Sequence, residues 1–499
     1  MFRFIKNLKS LFCYIAILIY YDALFFCSKI PILNIFIFPL RVFSVLHKKK
    51  SNGERLCIAF HRMGPTFIKL GQFLSVRSDL VGNKIANDLT KLQDDLPAAK
   101  FYKINKILER EFKDNIDHKF LEFNKTAISV ASIAEVFKAK THDNKQVAVK
   151  VLRPKIKQKF KRDIHFLFFI AKIANLFPYL KRLRLIDVIT TFEHVSNQEL
   201  DLRYEAASAD QLAENLKYNK NIHIPKIYWD LSSERVMVME WIDGIKINQK
   251  NKLTAGKHNL KQISEKLLLC YFDMAYRDGF FHADLHPGNI LITKDSKIAL
   301  LDFGIMGNLS RDDRIYVTKI LDGFIRRDYN YIAQIHHDAG YIPSSTDIND
   351  FALACRAIGE PLFGLPFEKI SIAKLLELLF KITENYGMET QPQLLLLQKT
   401  LLTIEGVVRN LDDKVNMWDL GKPWMEEWSK ENMGAKAHLK DFTNKSEKII
   451  HKLPQIIEDL SDLLETRKNK QAYLVNKIST YKVAFIAAIF GAVISKLLF

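Results

Sequence analysis

Phe281-His282-Ala283-Asp284-Leu285-His286-Pro287-Gly288-Asn289, followed thirteen residues beyond Asn289 by Asp302-Phe303-Gly304, is the stretch on which the reading of this chain turns. Between the two motifs, NILIT and KIALLDFG are short apolar runs on either side of the polar turn Lys294-Asp295-Ser296, the pattern of a β-hairpin. Such a hairpin sets Asn289 and Asp302 side by side at adjacent strand ends. Two hard oxygen donors in that position suit Mg²⁺. Asp284, five residues before Asn289, is a carboxylate one turn away.

Phosphoryl transfer from ATP needs these parts: a carboxylate near the attacking oxygen and oxygen ligands for divalent metal. The Asp-to-Asn spacing is also that of protein-kinase catalytic loops. The bland alternative is two unrelated turns, and four polar positions at the right spacing on one hairpin weigh against it. Upstream, Val147-Ala148-Val149-Lys150 ends a strand on a lysine suited to grip the α- and β-phosphates when a helix carboxylate holds it. The carboxylates lie in Glu199-Leu200-Asp201-Leu202-Arg203-Tyr204-Glu205; on one helix, Glu199 would neighbour Arg203, and Asp201 would neighbour Glu205. A Gly-x-Gly-x-x-Gly phosphate loop is missing. The turn before Lys150 reads Ser129-Val130-Ala131-Ser132-Ile133-Ala134, where each Cβ limits backbone approach to phosphate. Ala131 and Ser132 are therefore the expected loop contacts with nucleotide.

A second helix, Gly64 to Leu80, precedes these strands. Phe67, Leu70 and Leu74 make its apolar stripe and leave Lys69 and Gln72 on another face. By itself this is an ordinary amphipathic helix. Further outward, 54–125 reads as helical and 126–152 as two strands joined at His142-Asp143-Asn144. Residues 155–218 read as helical, two short strands follow at Ile222–Tyr228 and Arg235–Trp241, and the remainder is mostly helix. A strand-rich lobe followed by a helical lobe gives an α+β, bilobal class.

The chain has 499 residues, 48% hydrophobic, enough for two or three lobes. Its +18 formal charge calls for an anionic partner. Nucleic acid, nucleotide phosphates and acidic lipid compete for that role; the excess is strongest beside apolar segments, at Lys48-Lys49-Lys50 and at Arg467, Lys468 and Lys470, the placement that an anionic membrane surface attracts. Zinc-finger spacing and a basic helix with interleaved aromatics are both absent, which argues against nucleic acid. Cys13, Cys27, Cys57, Cys270 and Cys355 are scattered and lack CxxC spacing, so neither a disulfide framework nor a zinc site is expected. Residues 11–45 are apolar but broken by Asp22, Lys29, Pro31, Pro39 and Arg41, which favours an interfacial or core-packed hairpin over a span of ~20 residues. Val483 to Ser495 is uncharged, bracketed by Lys482 and Lys496, and is expected to meet the membrane.

The motifs together resemble the UbiB/ADCK family of atypical kinases. The Lys-x-Gly-Gln helix at Lys69–Gln72, the alanine-type loop and Glu-x-Asp at Glu199–Asp201 carry the resemblance. LQDDLPAA (92–99), VAVKVLRP (147–154), MEWIDGIKI (239–247) and FHADLHPGN (281–289) are similar to that family as well. It implies a protein-kinase-like bilobal fold with a helical extension packed over the site and a hydrophobic C-terminal membrane helix. The expected division is a segment over 1–53, an extension over 54–125, a small lobe over 126–243, a large lobe over 244–425, a tail over 426–480 and a membrane helix over 481–499. It implies ATP and Mg²⁺ as cofactors, with Lys150 on phosphates, Glu205 as its partner, Asn289 and Asp302 on metal, and Asp284 as catalytic carboxylate. By the same resemblance, backbone of Met239–Trp241, including Glu240 and Trp241, forms the adenine hinge. Lys69 and Gln72 lie near Glu199 and Asp201 and obstruct the site of a protein substrate. Glu135 and Phe137 depart from the family's usual Gln and His. Implied partners are ATP, membrane lipid and ubiquinone-biosynthesis enzymes or lipid-like quinone precursors, with a homodimer left open; the implied place is the bacterial inner membrane, catalytic domain in the cytoplasm. The rival readings are a true protein or small-molecule kinase and a nucleotide-binding pseudokinase scaffold.

Overall fold

A computed structural model describes residues 12–23, 50–75, 77–92, 96–177, 181, 184–363, 371–388 and 391–433. The membrane helix expected over 481–499 lies outside these residues, as do most of the tail over 426–480 and of the segment 1–53. Chain contacts separate two units, Met1–Glu426 and Glu427–Phe499; of the second, the described residues are helical.

Alternating apolar residues build the sheet of the small lobe, in the order β1-β3-β4-β6 with β2 on β3. Its strands are β1 (Phe120–Phe123), β2 (Ser129–Val130), β3 (Ala134–Thr141), β4 (Gln146–Leu152) and β6 (Val236–Glu240). The expected β3–β4 hairpin pairs Ala134 with Leu152 through to Lys140 with Gln146, and Asn144 in its turn takes φ +64°. Val147, Val149 and Val151 face a core shared with Phe137, Val236, Val238 and with Ile104 and Leu108 of a helix on the sheet's outer face. Ala148 and Leu152 face the main core, so Lys150, between them in the alternation, points inward.

Two expectations need correction. Residues 54–125 are not helical throughout, because Phe120 and Phe123 stack on each other and on Phe112, Phe101 and Phe137, which draws 120–123 into the sheet as its edge. Ile222–Tyr228 is not one strand. Ile222–His223 forms β5, parallel to a strand of the large lobe, while Ile227 bridges Met239.

The extension comprises α1 (Asn52–Met63), α2 (Pro65–Ser75) and α3 (Phe101–Phe112), with shorter turns between. Ser51 and Glu54 start α1 as a reciprocal capping box, with bonds of 3.1 Å in each direction. Asp163, on α4 (Ile156–Ala174), is wholly buried and accepts from Thr66 (2.7 Å) and from Tyr14 (2.9 Å). Its buried charge faces Arg162 (3.1 Å) and Lys159 (3.4 Å), so the extension is tied to the small lobe by a satisfied carboxylate. α5 (Leu185–Glu199) and α6 (Leu202–Asn215) complete that lobe.

In the large lobe, α7 (Leu260–Phe272) runs into a π-helical turn, Asp273–Asp278, and then β8 (Phe280–His282). β7 (Gly244–Lys246), β9 (Ile290–Thr293) and β10 (Ile298–Leu300) form a sheet with β5, in the order β5-β10-β9-β7. β11 (Met306–Asn308) pairs with β8. Helices α8 (Arg311–Arg326) to α12 (Pro392–Leu411) supply the core behind these strands. Among the described residues, no helix is long and apolar enough to cross a membrane.

Candidate active site

Strand alternation delivers Lys150 into the cleft, and its Nζ lies 2.6 Å from Glu205 Oε1 and 3.1 Å from Asp302 Oδ1. Burial, the largest influence on Lys150, pulls toward the neutral amine, but Asp302 and Glu205 together outweigh it and hold the ammonium charged. Lys150 in turn keeps the Asp302 carboxyl well below its ordinary range. Glu205 is pushed up to about 7, chiefly by burial. Of the two carboxylates around this cation, Asp302 is the one that stays ionised. Its backbone has φ +59°, a left-handed conformation that a non-glycine residue adopts at a cost of order 1–3 kcal/mol.

Residues 282–289 are fixed by bonds that the motif alone does not reveal. His282 is wholly buried, and burial lowers its proton affinity, leaving a neutral ring. Its Nε2 donates to Leu301 O (2.9 Å) and its Nδ1 accepts from the Asp284 amide (3.1 Å), which links the loop to the Asp302 turn. Asn289 Nδ2 donates to Asp284 O (3.0 Å), Leu301 N to Asn289 O (2.9 Å) and Thr400 Oγ1 to Ala283 O (3.1 Å). The Asp284 carboxylate itself is partly open, with His286 Nε2 at 3.9 Å.

A divalent ion fits these donors. The Asn289 nitrogen is committed to Asp284, so the amide oxygen is the end available to a cation, and Asp302 adds an ionised carboxylate. Among the described residues there is no group of three or more His, Cys, Asp or Glu poised for a metal. Two protein oxygens suit Mg²⁺, which keeps waters and takes substrate phosphates as its other ligands, better than a metal needing an all-protein cage.

Residues 199–205 do not form one helix. α5 ends at Glu199, and Asp201, extended at φ −124°, caps α6 by accepting from Arg203 N (3.1 Å). Aspartate's preference for the N-cap outweighs helix continuation. The break turns the carboxylates apart. Glu205 meets Lys150, Glu199 meets Lys69 Nζ at 2.9 Å with both side chains largely buried, and Asp201 is gripped by the Arg203 guanidinium at 2.6 and 2.9 Å. Lys69 also adds to the positive field on Asp302. Gln72, one turn on, is half-buried.

The alanine-type loop closes tightly through Ala131 N to Ala134 O (2.9 Å), with no residue from 129 to 134 at positive φ. Ser132 is wholly buried, and its hydroxyl has no hydrogen-bond partner in the structure. Arg153 orders the loop, donating to Ala131 O (3.3 Å) and to Pro97 O (2.6 Å). Glu135, which departs from the family, accepts from Ala99 N (2.7 Å) and faces Arg153 at 3.4 Å. At the expected hinge, the Glu240 amide donates to Lys226 O (2.8 Å) and the Trp241 amide to Gln146 O (3.1 Å), so both donors are spent inside the lobe.

The sequence matches the ABC1 atypical kinase-like domain over residues 91–336 and the UbiB helical domain over 355–416. "Probable protein kinase UbiB" of Azotobacter vinelandii is 36% identical over 446 residues, covering 87% of this chain and 83% of that protein. The protein of the same name in Pseudomonas fluorescens strain SBW25 is 36% identical over 459 residues, covering 90% and 85%. Among solved structures, the Rv3197–erythromycin complex from Mycobacterium tuberculosis shares the fold, with TM-score 0.52, 22% identity, and 74% of this chain and 92% of that chain covered. With both domains in order and this identity across most of the relatives' length, the chain belongs to the UbiB family of ABC1 atypical kinase-like proteins.

Proposed function

We propose that this protein is an ATP- and Mg²⁺-dependent enzyme of the atypical kinase type that supports ubiquinone biosynthesis at the bacterial inner membrane, its catalytic domain in the cytoplasm. Lys150, held by Glu205, binds the α- and β-phosphates, exchanging Asp302 for them. Asn289 and Asp302 would hold Mg²⁺, which supplies charge neutralisation on the phosphates. Asp284 orients the nucleophile by accepting its hydrogen bond, and carbonyls of the hinge meet adenine. The observation that carries the reading is Lys69 against Glu199 at 2.9 Å, beside the Lys150–Glu205–Asp302 centre. A buried cation from the extension there favours a small nucleophile, water or a lipid-like hydroxyl, over a protein side chain.

Membrane contact has support outside the expected C-terminal helix. Phe12, Ile15 and Tyr20, on the helical stretch over 12–20, are exposed, as are Phe169, Ile170 and Ile173 on α4. Tyr14 stacks on Phe166 at 5.5 Å, so the two helices lie against each other and present neighbouring apolar surfaces. The test is quinone profiling of a deletion strain carrying wild type or Asp302→Asn, with ATP turnover of both purified proteins in lipid. Lost quinone and lost ATP turnover in the variant are expected. Full rescue by Asp302→Asn would leave a nucleotide-independent scaffold, and phosphate transfer to a protein in trans would favour a true protein kinase.

A further inference from the structure

A cavity of ≈460 Å³ opens between α3 and the start of α4, beside the end of β4. α3 lines it with Lys103, Lys106 and Arg110, at three- and four-residue spacings that align them on one helix face, while Ile104 and Leu108 on the opposite face are fully buried in the outer core. The opposing wall is the turn into α4, with Arg153, Lys155 and Lys157, and Arg235 closes the end. No acidic side chain lines the cavity. Three of the cations have carboxylates outside it: Arg153 with Glu135, Lys157 with Glu234, and Arg235 with Glu111 at 3.8 Å. Among the described residues, no ion pair joins Lys103, Lys106, Arg110 or Lys155 to a carboxylate.

Several like charges converging on a concave space repel one another, and a water-filled hollow relieves this less well than an anion does. Arg153 spends its guanidinium on Ala131 O, Pro97 O and Glu135 outside the cavity, so the charge left for an anion comes from Lys103, Lys106 and Arg110 on one wall and Lys155 on the other. Helix α4, of 19 residues, begins here with Lys155 in the N-cap position and no side chain capping its first amides. An N-terminus in this state offers N–H donors and positive dipole to a phosphate oxygen. We infer that this cavity is a binding site for a phosphate-bearing anion, either free in solution or carried as the headgroup of an anionic phospholipid.

The test uses the purified full-length chain without Mg²⁺, titrated calorimetrically with inorganic pyrophosphate. Wild type and the double variant Lys106→Gln/Arg110→Gln are compared, with Lys155→Gln as an independent change on the other wall. The expected result is binding at least tenfold weaker in the double variant and several-fold weaker in Lys155→Gln. ATP affinity measured with Mg²⁺ should be the same in wild type and the double variant, which separates this site from the nucleotide cleft. Flotation with phosphatidylcholine vesicles carrying increasing phosphatidylglycerol then identifies the source. A phosphatidylglycerol-dependent gain that is smaller in the double variant assigns a lipid headgroup, and an equal gain in both assigns a free phosphate compound. Unchanged pyrophosphate binding in the double variant, or an equal loss of its ATP affinity, would overturn the inference.

Discussion

Lys69 is the residue on which the enzymatic reading turns, because it brings a cation from outside the two lobes to the edge of the phosphate centre. Breaking a buried pair leaves Glu199 uncompensated, which costs on the order of 3 kcal/mol. Lys69→Ala should therefore lower stability, keep ATP affinity within about twofold, and expose autophosphorylation that wild type lacks, while quinone rescue fails. All four are measurable on one variant and its strain; wild-type behaviour in each would reduce the α2 lysine to packing. At this scale the sequence was most legible where chemistry is local. Asp284, Asn289 and Asp302 lie within one short stretch, so spacing and hairpin pattern place them directly. Lys150 was readable from the strand it ends. Arg153 was not, although it stands in a quoted motif, because its role comes from reaching two carbonyls distant in sequence, Ala131 and Pro97. His282 was quoted too, yet its two bonds become visible only once Leu301 folds beside it.

Between elements, the joint of α5 and α6 shows why residues that read as one helix lie on two. Periodicity registers i and i+4 neighbours, whereas Asp201 acts as a cap, and the two signals compete over the same seven residues. The capped break lets Glu205 and Glu199 serve two lysines at once. The glycine of the Lys-x-Gly-Gln helix has an equally specific cause. A Cβ built on Gly71 would overlap Leu92 Cδ1 and lie 2.9 Å from Phe60 Cδ2, so a larger residue there forces those two side chains to shift. Gly71→Ala should destabilise the protein by about 1–3 kcal/mol through overpacking. The shift should also displace Lys69 from Glu199, so urea midpoint and autophosphorylation should change together. A neutral midpoint would mean that Leu92 and Phe60 move aside freely. The edge strand at Phe120 was missed for a related reason: its aromatic partners, Phe101, Phe112 and Phe137, flank it at a distance that no local pattern records.

For the molecule as a whole, one part of the acid response arises far from the cleft. His336, on α9 (Tyr329–Asp338), is buried, and burial drives its pKa down to about 4 while its Nδ1 donates to Ile332 O at 2.8 Å. The unfolded chain takes up this proton near pH 6.5 and the folded one does not, so stability present above pH 6.5 is lost as pH falls toward 4. Linkage puts the loss at about 2 kcal/mol between pH 7 and pH 5. Urea unfolding should show it in wild type and show much less in His336→Gln; equal pH dependence would assign the effect elsewhere. The order of lobes was legible from the strand and helix runs, but how the extension is pinned, through Asp163, was not. Above this framework stands one claim, that Lys150, Glu205, Asn289 and Asp302 form a working Mg²⁺–nucleotide site. Thermal unfolding with saturating ATP, with and without Mg²⁺, tests it most directly on wild type and Asp302→Asn. At a hundredfold excess over Kd, wild type should gain about 2–3 kcal/mol with Mg²⁺ present, and Asp302→Asn should gain nothing that depends on Mg²⁺. The same Mg²⁺-dependent stabilisation in both proteins would contradict the claim.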